Sequence, residues 1–156
     1  MPELVGYRFV IQGNPAPWTV WVKKSEPPRG FLDMQVWQQQ IMAELRHQWG
    51  NRPPIVGPVA VDTYFNLRWP ETAPQLQARA IERWREQHIV MKPDLDNLRK
   101  AAVDAIAAIL FETGDQQVVE GRMSKQFAGL HQEGYTGIVV RVLAADLAQV
   151  LEVENG

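Results

Sequence analysis

The fold class predicted by the sequence is α+β: one compact domain in which a small mixed β-sheet carries two principal helices. Three observations predict it. Strand-like and helix-like stretches alternate as strand, helix, strand, helix and then two strands. The 156 residues, 46% hydrophobic and 22% charged, have the size and composition of a single globular core. No repeat at a fixed period and no convincing linker divides the chain, so residues 1–156, the tail 144–156 included, are expected to form one unit.

The first strand is expected over Leu4–Gln12, where Val5, Tyr7, Phe9, Val10 and Ile11 are β-branched or aromatic and Gly13-Asn14-Pro15 makes the turn. Ala16–Gly30 holds Pro17, Pro27, Pro28 and Gly30 beside Trp18, Trp21, Lys23, Lys24 and Arg29. That composition suits either a surface loop pinned by tryptophans or a loop that contacts DNA. From Asp33 to Trp49, Trp37, Ile41, Leu45 and Trp49 recur every four residues, the stripe of an amphipathic helix. After the Gly50–Gly57 break, Val59, Val61, Thr63, Phe65 and Leu67 alternate with Ala60, Asp62, Tyr64, Asn66 and Arg68, as in a half-buried strand ended by Trp69-Pro70.

Glu71–Gln87, with Arg79, Arg83 and Arg85, reads as a short polar helix or an excursion beyond the sheet, and His88–Met91 as a short apolar run halted by Lys92-Pro93. The second principal helix starts at Asp94 or Asp96, either of which can cap it. It buries Leu98, Ala102, Ala105 and Ile109 and exits at Gly114. Val118, Val119 and Met123, then Ile138–Leu143, read as two strands, and Ala144–Glu154 as a weakly helical tail.

Composition narrows the chemistry. Without cysteine there is no disulfide framework, thiolate-bound zinc or thiol nucleophile, and three scattered histidines make a histidine-rich metal site improbable, so any metal must take oxygen ligands. The longest apolar run, Ala105–Phe111, is far short of the roughly 18 residues of a membrane span, and the first residues lack a basic, then apolar, leader. The chain is therefore expected to be soluble and unexported, with no membrane partner. The net charge of −2 hides an asymmetry: residues 1–100 carry 13 basic and 10 acidic side chains, whereas residues 101–156 carry 3 and 8. A phosphate-facing surface would come from the first two thirds.

The chemistry-bearing stretch is Lys92-Pro-Asp94-Leu-Asp96-Asn-Leu-Arg-Lys100, followed after the helix by Gly114-Asp115-Gln-Gln117-Val. Two aspartates two residues apart at a helix start repel unless a cation, capping amides or protonation relieves them. A divalent oxygen-seeking ion such as Mg²⁺ or Mn²⁺ is one relief; a cap plus a spare surface charge is the other. Lys100 and Asp104 follow Asp96 at successive four-residue steps, giving that helix a charged face. Asp115 would return toward Asp94 and Asp96 if the strand after it paired beside His88–Met91.

Lys-Pro-Asp-Leu-Asp-Asn-Leu-x-Lys, the following Asp-x-Gln-Val and the later Lys125 resemble the RusA family of Holliday junction resolvases. Gly13-x-Pro15, the tryptophan-bearing first helix and Gly57-Pro-Val59 extend the resemblance over most of residues 4–127. It implies a RusA-like fold and a metal-dependent endonuclease that resolves four-way junctions by paired nicks. In that reading Asp94, Asp96 and Asp115 bind Mg²⁺, or Mn²⁺ in its place, and Lys100 is the catalytic lysine. Also implied are branched DNA as partner, a homodimer, and the cytoplasm of a bacterium, the gene being bacterial or phage-borne. Lys23, Lys24, Arg29, Arg83, Arg85, Arg99 and Lys125 are candidate phosphate contacts. Family members often carry Asp-Asp where this chain has Gly114-Asp115, and a more basic first loop. The competing readings are a non-catalytic branched-DNA or interaction module and a flap or single-strand nuclease.

Overall fold

Alternation at a two-residue period decides which side of each strand is apolar, and in the computed structural model, which describes residues 5–21, 26–68, 93–129 and 132–143, the strand register aligns those sides. Strand β1 (Val5–Gln12) pairs antiparallel with β5 (Tyr135–Val142), and β5 pairs antiparallel with β2 (Val59–Leu67). Two rows, Phe9–Ile138–Thr63 and Ile11–Thr136–Phe65, cross these three strands with every member buried. On its other edge β2 takes β3 (Val118–Glu120) and β4 (Met123–Phe127), both parallel to it. Parallel neighbours cannot be joined by a tight turn, and the chain between β2 and β3 supplies the second helix. The result is the expected α+β arrangement: a five-stranded mixed sheet and two α-helices among the described residues.

Helix α1 (Arg29–Trp49) buries Met34, Trp37, Ile41, Leu45 and Trp49 at three- and four-residue spacings. It begins four residues before the expected Asp33. Pro28 sits at its N-cap and offers its carbonyl to the Phe31 and Leu32 amides, while its lack of an N–H removes a donor that the helix start would leave unpaired. Arg29 therefore belongs to a helical turn, not to the preceding loop. Helix α2 (Leu95–Leu110) buries Leu98, Ala101, Ala102, Ala105, Ile106 and Leu110. Its alanines let α1 approach, and Gln38 Nε2 donates to the Ala101 carbonyl at 3.0 Å across the contact. The core lies between this helical layer and the sheet, with the Trp37 and Phe65 rings 5.9 Å apart, edge to face. No helix among the described residues is long and apolar enough to cross a membrane.

Three departures from expectation have physical causes. Strand β2 is buried on both faces except at Tyr64, because it is central and its polar face is covered: Arg141 reaches Asp62, and Gln126 reaches the side chain of Asn66. The expected strand through Val118 and Met123 is two strands broken at Gly121. Gly121 has φ 155°, and a Cβ there would strike the Val61 carbonyl and the Arg99 guanidinium. β5 begins at Tyr135, three residues before Ile138, since its first residues pair with Gln12 and Asn66. Leu4, residues 69–92 and the tail after Leu143 lie outside the described residues.

Trp37 is 1% exposed and its indole N–H has no hydrogen-bond partner. Trp37→Ala is expected to cost about 3–5 kcal/mol of unfolding free energy, mostly through the cavity it leaves. Trp37→Phe, which keeps a ring and removes the unpaired donor, should cost far less. Urea denaturation of the two variants reads the difference.

Candidate functional site

A helix start leaves four amides without partners and a partial positive charge, so what stands there decides whether anions are held by the helix or offered outward. Asp94 is the N-cap of α2, with extended backbone at φ −65° and ψ 137°, yet its carboxylate makes no capping hydrogen bond. Asp96 lies in the first turn, and both aspartates are exposed. Of the two readings open from the sequence, the one in which the Asp94 side chain satisfies the helix amides is not realised. The chain around the pair is fixed from three sides. Lys125 Nζ, on β4, donates to the Pro93 carbonyl at 2.9 Å; the Trp18 amide donates to the Asn97 carbonyl at 2.9 Å; and Gln38 holds Ala101 from α1.

Lys100, one turn after Asp96, places its Nζ 3.7 Å from the centre of the Trp18 ring, a cation–π contact. Trp18 and Asp94 both line a cleft of about 900 Å³ between the loop after β1, the start of α1 and the head of α2. Arg29 and Arg68 line the same cleft with Asn14, Gln40 and Asn97. Among the described residues the Arg68 side chain has a loose 3.9 Å ion pair with Glu133, in which both side chains are more than half exposed.

Asp115 opens a single 3₁₀ turn, Asp115–Gln117, after Gly114 at φ 105°. Gln117 holds that turn. Its Oε1 accepts from the Thr113 amide at 2.6 Å and the Thr113 hydroxyl at 2.9 Å, and its Nε2 donates to the Ile55 and Gly57 carbonyls, each at 2.9 Å. Asp115 acts electrostatically on Asp104, two turns along α2 from Asp96. Burial first, and then the Asp115 carboxylate, push the Asp104 carboxyl above its ordinary value, while Lys100 pulls it back.

The remaining candidates divide. Arg99 faces the sheet, donating to Thr63 Oγ1 at 3.1 Å and to the Arg122 carbonyl at 3.4 Å; burial lowers its pKa and the charge of Asp62 restores part of it. Arg29 lines the cleft, Lys125 supports the head of α2, and Lys23, Lys24, Arg83 and Arg85 lie outside the described residues. So does His88–Met91; the strand that follows Asp115 pairs with β2. Sequence reasoning did not find that Trp18 underlies Lys100 or that Gln117 anchors the turn of Asp115. The first depends on a contact made across 82 positions and left no local signal; the second was present as a glutamine in an otherwise apolar strand start.

Among the described residues, no three of His, Asp and Glu stand close enough together to hold a metal ion. What the head of α2 offers is the exposed pair Asp94 and Asp96. That set suits Mg²⁺, which takes one or two carboxylates and completes its octahedron with water and substrate phosphate.

Compared with known families, the chain matches the family described as endodeoxyribonuclease RusA over residues 14–142. No curated protein matches it.

Gln117→Ala would leave the Gly57 carbonyl and the Thr113 amide without their partner and the Ile55 carbonyl with the Glu112 amide alone, and is expected to cost about 1–3 kcal/mol in urea unfolding. The raised carboxyl of Asp104 opposes folding wherever it is ionised. That cost is full above its folded-state pKa and vanishes as pH falls through it. Asp104→Asn should therefore raise the melting temperature at neutral pH, and the gain should disappear by roughly pH 3, where aspartates are protonated in both states. Melting curves across that range provide the check.

Proposed function

Because the chain belongs to the RusA endodeoxyribonuclease family, we propose that it is a metal-dependent endonuclease that resolves four-way DNA junctions by paired nicks in opposed strands. The family match over residues 14–142 is the observation that carries this reading. The head of α2 supports the choice of site: two exposed carboxylates, one at an N-cap it does not serve, a lysine one turn away and a cleft lined by two arginines.

A bound Mg²⁺, or Mn²⁺ as substitute, supplies a water of lowered pKa and offsets charge on the phosphodiester oxygens. Asp94 and Asp96 hold it, and Asp115 is proposed as the third carboxylate of the set. The aspartates act as ligands and not as proton acceptors. Lys100 presents a positive charge to the phosphate oxygens, where charge grows during cleavage. Arg29 and Arg68 position the backbone of a strand entering the cleft, and Lys23, Lys24, Arg83 and Arg85 extend the contact.

The substrate has two-fold symmetry, so a homodimer would present two equivalent sites to opposed strands. The proposed setting is the cytoplasm of a bacterium, with the gene chromosomal or phage-borne. A second reading, a branched-DNA-binding module without catalysis, is favoured by one observation: Asp115 neighbours Asp104 instead of forming a cluster with Asp94 and Asp96.

Synthetic four-way junctions and linear duplexes incubated with the protein, with and without Mg²⁺, separate these readings. Paired nicks in the junction alone, only with metal, are expected; metal-independent binding without products would support the module. Asp94→Asn, Asp96→Asn and Asp115→Asn should each lower cleavage by roughly a hundredfold or more while retaining or tightening junction binding, since each removes a negative charge near phosphates. Unchanged turnover in any of them removes that residue from the site.

A further inference from the structure

We propose that Trp18 is the positioning residue for Lys100, holding its ammonium group through the ring instead of through an ion pair with a carboxylate of its own helix; this rests on the reading of Lys100 as the lysine that meets the scissile phosphate.

On a helix, a lysine with carboxylates four residues away on either side ordinarily pairs with one of them. Lys100 has Asp96 one turn before it and Asp104 one turn after it, and among the described residues it forms an ion pair with neither. Its Nζ instead lies 3.7 Å from the Trp18 ring centre. A ring attracts the ammonium through its quadrupole without cancelling its charge, whereas a carboxylate would cancel it. The charge acts on Asp104 from a distance but is not tied up in an ion pair, and it can still meet a phosphate.

The ring is itself fixed. The Trp18 amide is bonded to the Asn97 carbonyl, so ring and amine are referenced to the same stretch of α2. Proline on either side of Ala16 stiffens the approach, the Thr19 hydroxyl donates to the Pro17 carbonyl at 3.1 Å, and the Thr19 amide points at the Met34 sulfur at 3.2 Å. Trp18 also lines the cleft that Asp94 lines, which brings the amine to the side of the molecule where the carboxylate pair begins.

Two measurements on Trp18→Leu and Trp18→Phe test this. In the protein without DNA or metal, brief acylation followed by peptide mass spectrometry should show Lys100 modified roughly two to five times faster in Trp18→Leu, the factor expected from losing an exposed cation–π contact, and less so in Trp18→Phe. In single-turnover cleavage of a four-way junction at saturating protein, Trp18→Leu should fall about tenfold, and Trp18→Phe should recover most of the rate. Equal acylation of Lys100 in Trp18→Leu and wild type overturns the proposal, as does a Trp18→Phe rate as low as that of Trp18→Leu. If Trp18→Leu does not fold, Trp18→Phe decides alone: acylation no faster than wild type overturns it. A wild type that cuts no junction would sink the nuclease reading only, because the acylation result stands without activity.

Discussion

Placement of the first turn of α2 is the constraint on which the rest of the molecule depends. The helix is docked by small and aliphatic side chains, Leu98, Ala101, Ala102 and Ala105, that fix its distance from α1 but leave rotation and sliding weakly determined. Polar contacts remove that freedom: Lys125 on the Pro93 carbonyl from the sheet, the Trp18 amide on Asn97 from the loop after β1, and Gln38 on Ala101 from α1. Each comes from a different element, so a shift of the helix along any direction breaks at least one. Sheet, loop and first helix together determine where Asp94 and Asp96 stand.

Electrostatics along α2 then follow from burial. At the exposed head, two aspartates stand at a helix terminus that favours negative charge. Two turns on, Asp104 is more enclosed and faces Asp115, so its charge is disfavoured and Lys100 gives only partial relief. The helix thus carries two exposed carboxylates at its head and, two turns beyond Asp96, a carboxyl whose ionisation is disfavoured. Lys100 lies between them, its ammonium over the Trp18 ring and within electrostatic reach of Asp104.

Much of this was legible in the sequence because the signals were local. The four-residue spacing of Trp37, Ile41, Leu45 and Trp49 and the alternation through Val59–Leu67 gave the helix face and the inward face of β2 directly. Asp94 and Asp96 at a helix start could be read from the proline before them and the apolar stripe after them. What escaped was set by neighbours distant in the chain. The second face of β2 is buried because Arg141 and Gln126 lie over it, the break at Gly121 is forced by the Val61 carbonyl, and the start of α1 moved forward because Pro28 supplies a carbonyl acceptor with no amide to satisfy. The position of Asp115 depended on which strand its own strand would join, which no spacing encodes.

The cations show why counting basic residues could not locate a DNA-facing surface. Arg99 sits within the site motif, yet its guanidinium is committed to Thr63 and the Arg122 carbonyl; Arg141 is drawn to buried Asp62 at 3.2 Å and toward Glu120 at 4.0 Å. These two balance an acidic group that the centre of the sheet would otherwise hold unpaired, and removing either leaves Asp62 less compensated. Arg29 and Arg68 carry no comparable burden, since one lies at an exposed helix start and the other has a loosely paired side chain, and both open onto the cleft shared with Asp94. A phosphate approaching that cleft meets charge that the fold does not already use. The surplus of basic residues in the first two thirds of the chain therefore matters less than which guanidinium groups the core leaves uncommitted.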